Sequence, residues 1–332
     1  MAMSHTALDT GNMVAKRFIY GVLITGAMTL HAGYLGSADG YNGFFFGNYT
    51  SANSDVGGKL AAGGNITLTN MGIAPQHGPN FYNGQYALIA GQNLTATNGQ
   101  LYSGDAFHGN LLNLTNFNIV SGVVDGPGPS PIDFAAAALD LKNKSQSLKN
   151  MGGTAVGPNV GFEFIIDVAN SPLAVFLLDS ADFCASCSVK FINVGANSTV
   201  VVNVKGTNIT ETNSEYFING LAVNGDNSSP LASRILFNYY EATSLFMRSG
   251  VQGSVLAPYA DVTSAWGQLI GQLIAQSYSN VCTASQDCGS LELHDFNFDG
   301  DPGDPVPEPS TWLLSAAGLA GLVWRRARIA KR

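Results

Sequence analysis

Apolar strand positions recur at a nearly constant step in the second half of the chain. The positions are Leu236, Leu256, Ile274 and Leu293. Successive members are 20, 18 and 19 residues apart. A step of about 20 residues is typical of one coil of a parallel β-solenoid, because a coil can bury its apolar face only against stacked neighbours. The spacing therefore favours a solenoid over a β-sandwich, whose strands would have similar lengths without a regular step.

Short apolar or alternating runs occupy most of the remaining body. Gly, Asn, Asp and Ser bound almost all of them, which is typical of strands joined by tight turns. One run, in Asn65–Thr69, recurs as Asn93–Thr97 at a longer step. The predicted strands are 66–69, 87–90, 111–120, 162–168, 174–178, 191–194, 200–204, 235–240, 254–260, 269–275 and 291–298.

The charge balance excludes one class of partner. Charged residues make up 11% of the chain while Gly reaches 39 residues, so solubility depends on uncharged polar groups, as in β-rich extracellular proteins. The segment 33–306 holds 21 acidic and 8 basic residues, a net charge of −13. Such a surface repels phosphate backbones, and we therefore expect no nucleic-acid binding.

One segment has helical rather than strand periodicity. Ser130 is a candidate N-cap, Pro131 follows at the first helical position, and Asp133 adds an acid in the first turn. The residues that share one helical face are Phe134, Ala137, Ala138, Leu141, Ser145 and Leu148. This pattern predicts an amphipathic helix over about 131–149 that covers a flank or an open end of the solenoid.

The N-terminus has the pattern of a secretory signal peptide, predicted over 1–32. Lys16 and Arg17 precede the apolar run Phe18–Leu30, and small residues follow at Ala32 and Gly33. The leader before Lys16 is long, so either Met1 or Met13 could be the start.

The C-terminus ends in a short apolar run followed by arginines. Thr311–Trp324 is about 14 residues long, against the roughly 20 that span a bilayer, and Arg325 and Arg326 follow it. With Pro307, Glu308 and Pro309 ahead of this run, the segment 307–332 resembles the PEP-CTERM sorting signal of Gram-negative bacteria. The resemblance implies an exosortase partner, cleavage near 307–309 and release to the cell surface or matrix. The alternative is an uncleaved membrane anchor.

The four cysteines form two local pairs. Cys184 and Cys187 enclose two residues, and Cys282 and Cys288 enclose five. In an oxidising compartment each pair is best interpreted as a loop disulfide. A redox motif or a zinc site made of all four remains a less favoured alternative.

The body resembles the choice-of-anchor A family, an ice-binding-like adhesive module. The resemblance spans roughly 41–300 and depends on Phe44–Tyr49, Ser54–Asn65, Gly253–Asp261, Gly271–Ala275 and Glu292–His294. It implies a right-handed parallel β-solenoid with one long flanking helix, over a domain of 33–300 joined to the tail by a linker at 301–306. It implies adhesion or matrix association, and neither catalytic residues nor a cofactor.

Two further clusters near the end of the body have possible chemical roles. Glu292 and His294 share a strand face, and we interpret them as hydrogen-bonding groups that fix the last coil. The oxygens of Asp295, Asn297, Asp299 and Asp301 follow with the spacing of half a calcium loop. Val306 stands where such a loop needs its bidentate Glu. Calcium binding is therefore only a weak hypothesis, and we predict no metal site.

Outward-facing threonines are the candidate binding residues. Thr67 with Thr69, and Thr95 with Thr97, form two Thr-x-Thr ranks whose methyl and hydroxyl groups could match a polysaccharide or ice lattice. Thr is also simply a good exposed strand residue.

The sequence thus predicts a secreted, adhesin-like protein that binds extracellular polysaccharide or another surface and contacts the membrane only through its tail. The alternative is a passive matrix component without a discrete ligand. Ice binding and polysaccharide cleavage are less favoured, since the acids are dispersed singly and the body has two arginines, Arg234 and Arg248.

Overall fold

A computed structural model of the protein describes residues 33–157, 161–184, 187–211, 215–280 and 291–303. The predicted signal peptide, the Cys282 and Cys288 pair and the sorting tail lie outside these residues. Among the residues that the structure describes, no helix is both long enough and apolar enough to cross a membrane.

The described chain is built mainly from short strands. They are β1 (Tyr41–Phe45), β2 (Tyr49–Val56), β3 (Lys59–Ala62), β4 (Ile66–Ile73), β5 (Tyr86–Ala90), β6 (Leu94–Leu101), β7 (Asp105–His108), β8 (Leu112–Ile119), β9 (Val124–Asp125), β10 (Thr154–Ala155), β11 (Glu163–Asp167), β12 (Leu173–Asp179), β13 (Ser188–Ile192), β14 (Thr199–Lys205), β15 (Asn208–Glu211), β16 (Glu215–Ile218), β17 (Leu221–Ala222), β18 (Ile235–Asn238), β19 (Ser244–Met247), β20 (Gly250–Gln252), β21 (Ser254–Ser264), β22 (Gly267–Ile270), β23 (Leu273–Asn280) and β24 (Leu291–His294). One α-helix, α1, spans Phe134–Asn150.

The strands stack in parallel, which confirms the predicted β-solenoid. In the ladder of β2, β4, β6 and β8, each strand pairs in register with the next over nearly its whole length. Among the described strands, only β16 and β17 pair antiparallel. The right-handed sense of the coil stays a prediction.

The coils do not stack in chain order. From β1 and β2 the chain adds coils in one direction until β8 and β9. It then passes through α1, and the second series runs from β10 back towards the starting coil. There β23 pairs with both β1 and β2, with Ile274 opposite Phe44 and Tyr278 opposite Tyr49. The strands nearest the two ends of the domain are therefore neighbours in the middle of the stack.

Strand alternation places the core between the faces of each coil. In β4, Ile66 and Leu68 are buried while Thr67 and Thr69 between them are partly exposed. Burying such apolar side chains contributes about 25 cal/mol per Å² removed from water. Each coil gains this only by covering the next, which explains why the solenoid needs its full stack.

Helix α1 covers a flank of the solenoid, which is one of the two positions predicted for it. It begins at Phe134, three residues later than the Pro131 start, because the side chain of Asp133 and not Ser130 caps it, accepting from Ala136 N at 2.9 Å. Its buried face packs on outward apolar residues of the second series, including Val201 and Leu256. Buried hydrogen bonds join helix to sheet here: Ser145 donates to Asn238 at 2.6 Å.

Candidate binding surface

Four strands of the first series present one common surface. Each contains the same five-residue pattern, in which positions one and three face the core, positions two and four face outward and position five is Asn. The four copies are Tyr49–Asn53, Ile66–Asn70, Leu94–Asn98 and Leu112–Asn116. We call the outward side of these four segments the flat face.

The outward residues of the flat face form two rows that cross the strands. The first row is Thr50, Thr67, Thr95 and Asn113, and the second is Ala52, Thr69, Thr97 and Thr115. Neighbouring strands lie about 4.8 Å apart and alternate residues of one strand about 6.6 Å apart. The two predicted Thr-x-Thr ranks are therefore adjacent and in register, and Thr50 and Thr115 extend them on either side.

An asparagine ladder bounds the flat face at the corner after it. Asn53, Asn70, Asn98 and Asn116 all have positive φ, between 51° and 59°. Asn tolerates this left-handed backbone better than other residues with a side chain, and it turns the chain sharply at each coil. The side-chain amides also bond along the stack, with Asn70 donating to Asn53 at 2.7 Å and Asn98 to Asn70 at 3.1 Å.

A second asparagine series bounds the opposite side. The side-chain oxygen of Asn48 accepts from the backbone N–H of Asn65 at 2.8 Å, and Asn65 and Asn93 accept in the same way from the next coil. Both borders of the flat face are therefore fixed by hydrogen bonds parallel to the solenoid axis. Such fixed borders hold the threonine rows in one register.

The same side of the solenoid continues into the second series with different chemistry. Ser279, Thr263, Phe246 and Thr210 prolong the first row strand by strand. Beside them Asp261 adds a charge, and its carboxylate accepts from Ser277 at 2.6 Å. We call this continuation the irregular half, because an aromatic and an acid interrupt the row.

An acidic groove lies on the next side of the solenoid, around the last coil. It has a volume of about 640 Å³ and is lined by Asp55, Glu215, Glu292, Gln268 and the half-exposed indole of Trp266, among others. Arg248 lies over the indole ring at 5.0 Å from its centroid. Burial and the nearby charge of Glu292 raise the pKa of Asp55.

His294 lies beside this groove and pairs with Glu292, which lines it. Its Nδ1 lies 2.6 Å from Asp226 Oδ1 and its Nε2 lies 3.5 Å from Glu292 Oε1. Burial alone would lower the pKa of His294, but the two carboxylates outweigh it and raise the pKa above 6.5. The neighbouring His294 imidazole in turn lowers the pKa of Glu292. Glu292 and His294 do share a strand face and form an ion pair, in line with their predicted structural role.

The predicted calcium oxygens are engaged by protein groups. Asp295 Oδ2 lies 2.7 Å from His77 Nε2 and accepts from the Tyr82 hydroxyl at 3.0 Å. Asn297 donates to the other oxygen of Asp295 at 2.9 Å. Asp299 pairs with Arg234 at 3.1 Å, and Asp301 accepts from Gly303 N. Within the described ranges no three His, Cys, Asp or Glu residues are grouped as a metal site. Calcium binding stays an untested hypothesis.

The first cysteine pair forms a loop disulfide. Cys184 and Cys187 are bonded, with their Cα atoms 5.2 Å apart. The bond closes the connection between β12 and β13, where the sequence predicted a stapled loop rather than a redox centre.

Comparisons with known proteins decide the family. The family model described as "Putative Ice-binding-like adhesive domain" matches residues 34–286, which is most of the chain. The chain belongs to this adhesive family. A PEP-CTERM protein-sorting motif matches residues 305–327, so the protein carries a signal for export, exosortase processing and sorting to the cell surface.

The chain is also similar to a solved structure, the ice-binding protein of the Antarctic ascomycete Antarctomyces psychrotrophicus. The two are 13% identical, the match covers 79% of this chain and 98% of that one, and the TM-score is 0.40. No curated protein matches the chain significantly. The family that the chain matches is thus an adhesive, ice-binding-like one.

Sequence reasoning missed half of the flat face. Tyr49–Asn53 and Leu112–Asn116 carry the same pattern as the two predicted copies, but Ala52 and Asn113 replace threonine in them. The signal that could have identified them is the asparagine at position five, which recurs after 17, 28 and 18 residues.

Proposed function

We propose that this surface-sorted protein binds an extracellular polysaccharide through the flat face and performs no catalysis. The observation that carries the proposal is the in-register pair of rows, in which six of the eight residues are threonine, bordered by two asparagine series. A regular array of hydroxyl and methyl groups can meet a polymer whose own hydroxyls repeat along its length. The adhesive family and the sorting motif support a role outside the cell.

The chemistry of the flat face favours an uncharged sugar surface over an ionic ligand. Its two rows contain no charged residue, so binding would depend on hydrogen bonds and apolar contacts rather than on ion pairs. We therefore expect retention to be only weakly reduced by salt, because screening acts on charges.

Retention on polysaccharide tests the proposal. Protein purified from expressing cells is passed over immobilised matrix polysaccharide from the host and over a glycan array at physiological salt. We expect retention on at least one polymer, with no release of reducing ends or unsaturated sugars. Absence of retention on every polymer would favour the passive matrix role. Faceted ice crystals in the same preparation would instead favour ice binding.

We further propose that a signal peptide over 1–32 exports the chain of a Gram-negative host and that exosortase cleaves near Pro307–Pro309. The sorting motif at 305–327 supports this order of events. Mass spectrometry of surface-associated protein should detect no peptide beyond that region. A surface fraction that ends in Arg332 would contradict cleavage.

A further inference from the structure

Strand β8 is an open edge at one end of the solenoid. It pairs with β6 along its whole length, from Leu112 opposite Leu94 to Ile119 opposite Leu101. No other described strand pairs with its far side. Its outward backbone N–H and C=O groups therefore have no strand partner along eight residues, and α1, the one α-helix of the described ranges, packs on a flank of the solenoid instead.

The core is also open at this end. Leu112 is 41% exposed, whereas Leu94 at the same position of the coil beneath is fully buried. Beside it Leu111, Val120 and Val123 are 71%, 48% and 57% exposed. Solenoid ends normally need a polar cap, because an uncovered coil exposes both apolar side chains and backbone groups.

The edge lacks the features that keep strands from pairing. Natural edge strands are protected by charged residues, proline or a bulge. Residues 109–124 contain no Asp, Glu, Lys, Arg or Pro, although the body as a whole is strongly acidic. Along β8 two copies of the chain can therefore pair with no like charges directly opposite each other, since the next acid along the chain, Asp125, lies in β9.

We propose that β8 pairs antiparallel with β8 of a second copy of this chain, joining two solenoids end to end. A two-fold axis presents the same uncharged edge from both copies, which makes the contact self-complementary. Length and charge favour this partner over the other end of the solenoid. The edge strands there are β10, of two residues, and β11, of five residues with Glu163 and Asp167.

Pairing would have a functional consequence that goes beyond the proposed binding. The dimer carries two flat faces, and two sites on one particle raise the effective affinity for a repeating polymer without any new contact to it. Strand β8 carries Asn113 and Thr115 of the flat face, but Leu111 and Val120 lie outside the segment Leu112–Asn116, so substituting them tests association separately from polysaccharide binding.

The mass of the particle tests the proposal. The full-length chain, extracted from expressing cells in mild detergent, is compared with Leu111→Lys/Val120→Lys by analytical ultracentrifugation. Both side chains are exposed, so the variant should fold with unchanged circular dichroism. We expect a dimer for the parent and a monomer for the variant, because four lysines would then meet at the joint. The matched control Leu139→Lys/Leu221→Lys changes two similarly exposed apolar residues, one in α1 and one in β17, and should stay dimeric.

Three outcomes would overturn the proposal. A monomeric parent would show that the edge stays unpaired. A dimer that persists in Leu111→Lys/Val120→Lys would place the contact elsewhere, for example in the apolar tail, which all variants share. A series of species that grows with concentration would indicate head-to-tail joining of unlike ends.

Discussion

The flat face and the irregular half lie on the same side of one solenoid and are built differently on the outside. Inside, both have fully buried apolar residues, such as Leu94 in β6 and Leu245 in β19. Outside, the flat face repeats threonine at fixed positions, while the irregular half inserts Phe246 and Asp261. Core packing therefore maintains the coil in both halves. It does not explain why the outer surface of the flat face alone is regular.

The corners differ in the same way. Every copy in the flat face ends in an asparagine with positive φ, whereas no such asparagine follows β19 or β21 in the described chain. A coil can evidently turn without it. The asparagine ladder is thus an additional feature of the flat face, and we interpret it as a device that keeps the threonine rows in register.

The largest expected change in stability tests whether the cores behind the flat face and the irregular half are equally well packed. Leu94→Ala and Leu245→Ala should each lower the free energy of unfolding by about 2–5 kcal/mol, because each leaves a cavity among fully buried neighbours. Urea denaturation measures both. A cost below about 1 kcal/mol for Leu245→Ala alone would show that the irregular half is loosely packed, against the comparison above.

A smaller effect tests the asparagine corner. Asn98→Ala should lower the free energy of unfolding by about 1–2 kcal/mol. Alanine is disfavoured in the left-handed backbone at φ 54°, and the hydrogen bond to Asn70 is lost. Glycine adopts this left-handed conformation without strain, so Asn98→Gly should cost less, because only the exposed side-chain hydrogen bond is lost. The control Asn208→Ala, in the irregular half, should change stability by no more than about 0.5 kcal/mol. Equal costs for all three would contradict a special role for the corner.

The smallest effect lies at the acidic groove and depends on pH. The folded pKa of His294 is raised, so its contribution to stability is present below pH 6.5 and is lost as pH rises through the folded value. The melting temperature should therefore fall between pH 6 and pH 8 more in the parent than in His294→Gln. Identical pH profiles would show that the pairing with Asp226 and Glu292 contributes nothing.

The sequence was informative where a single rule decides the outcome. Strand alternation and the 20-residue step predicted the solenoid, and helical spacing predicted α1, with only its start displaced to the Asp133 cap. Chain order was not predictable, because the step between coils is the same whichever neighbour a coil stacks on. The meeting of β23 with β1 depends on contacts between residues more than 200 positions apart.

The site was half predictable for a related reason. Alternation placed Thr67, Thr69, Thr95 and Thr97 on the outside, but register between coils decides whether they form rows, and alternation does not fix register. The groove needed spatial information of the same kind. Asp55 and Glu292 lie far apart in the sequence and meet only because Val56 pairs with Leu293.

The most direct test of the account compares the two halves as binding surfaces. Thr67→Gln/Thr95→Gln places bulkier, uncharged side chains in the flat face, and Thr210→Gln/Thr263→Gln does the same in the irregular half. Affinity for the retained polysaccharide is measured by surface plasmon resonance on proteins of matched melting temperature. We expect at least about a tenfold loss for the first pair, or about 1.4 kcal/mol, and little change for the second. Equal losses, or a loss confined to the irregular half, would contradict binding through the flat face.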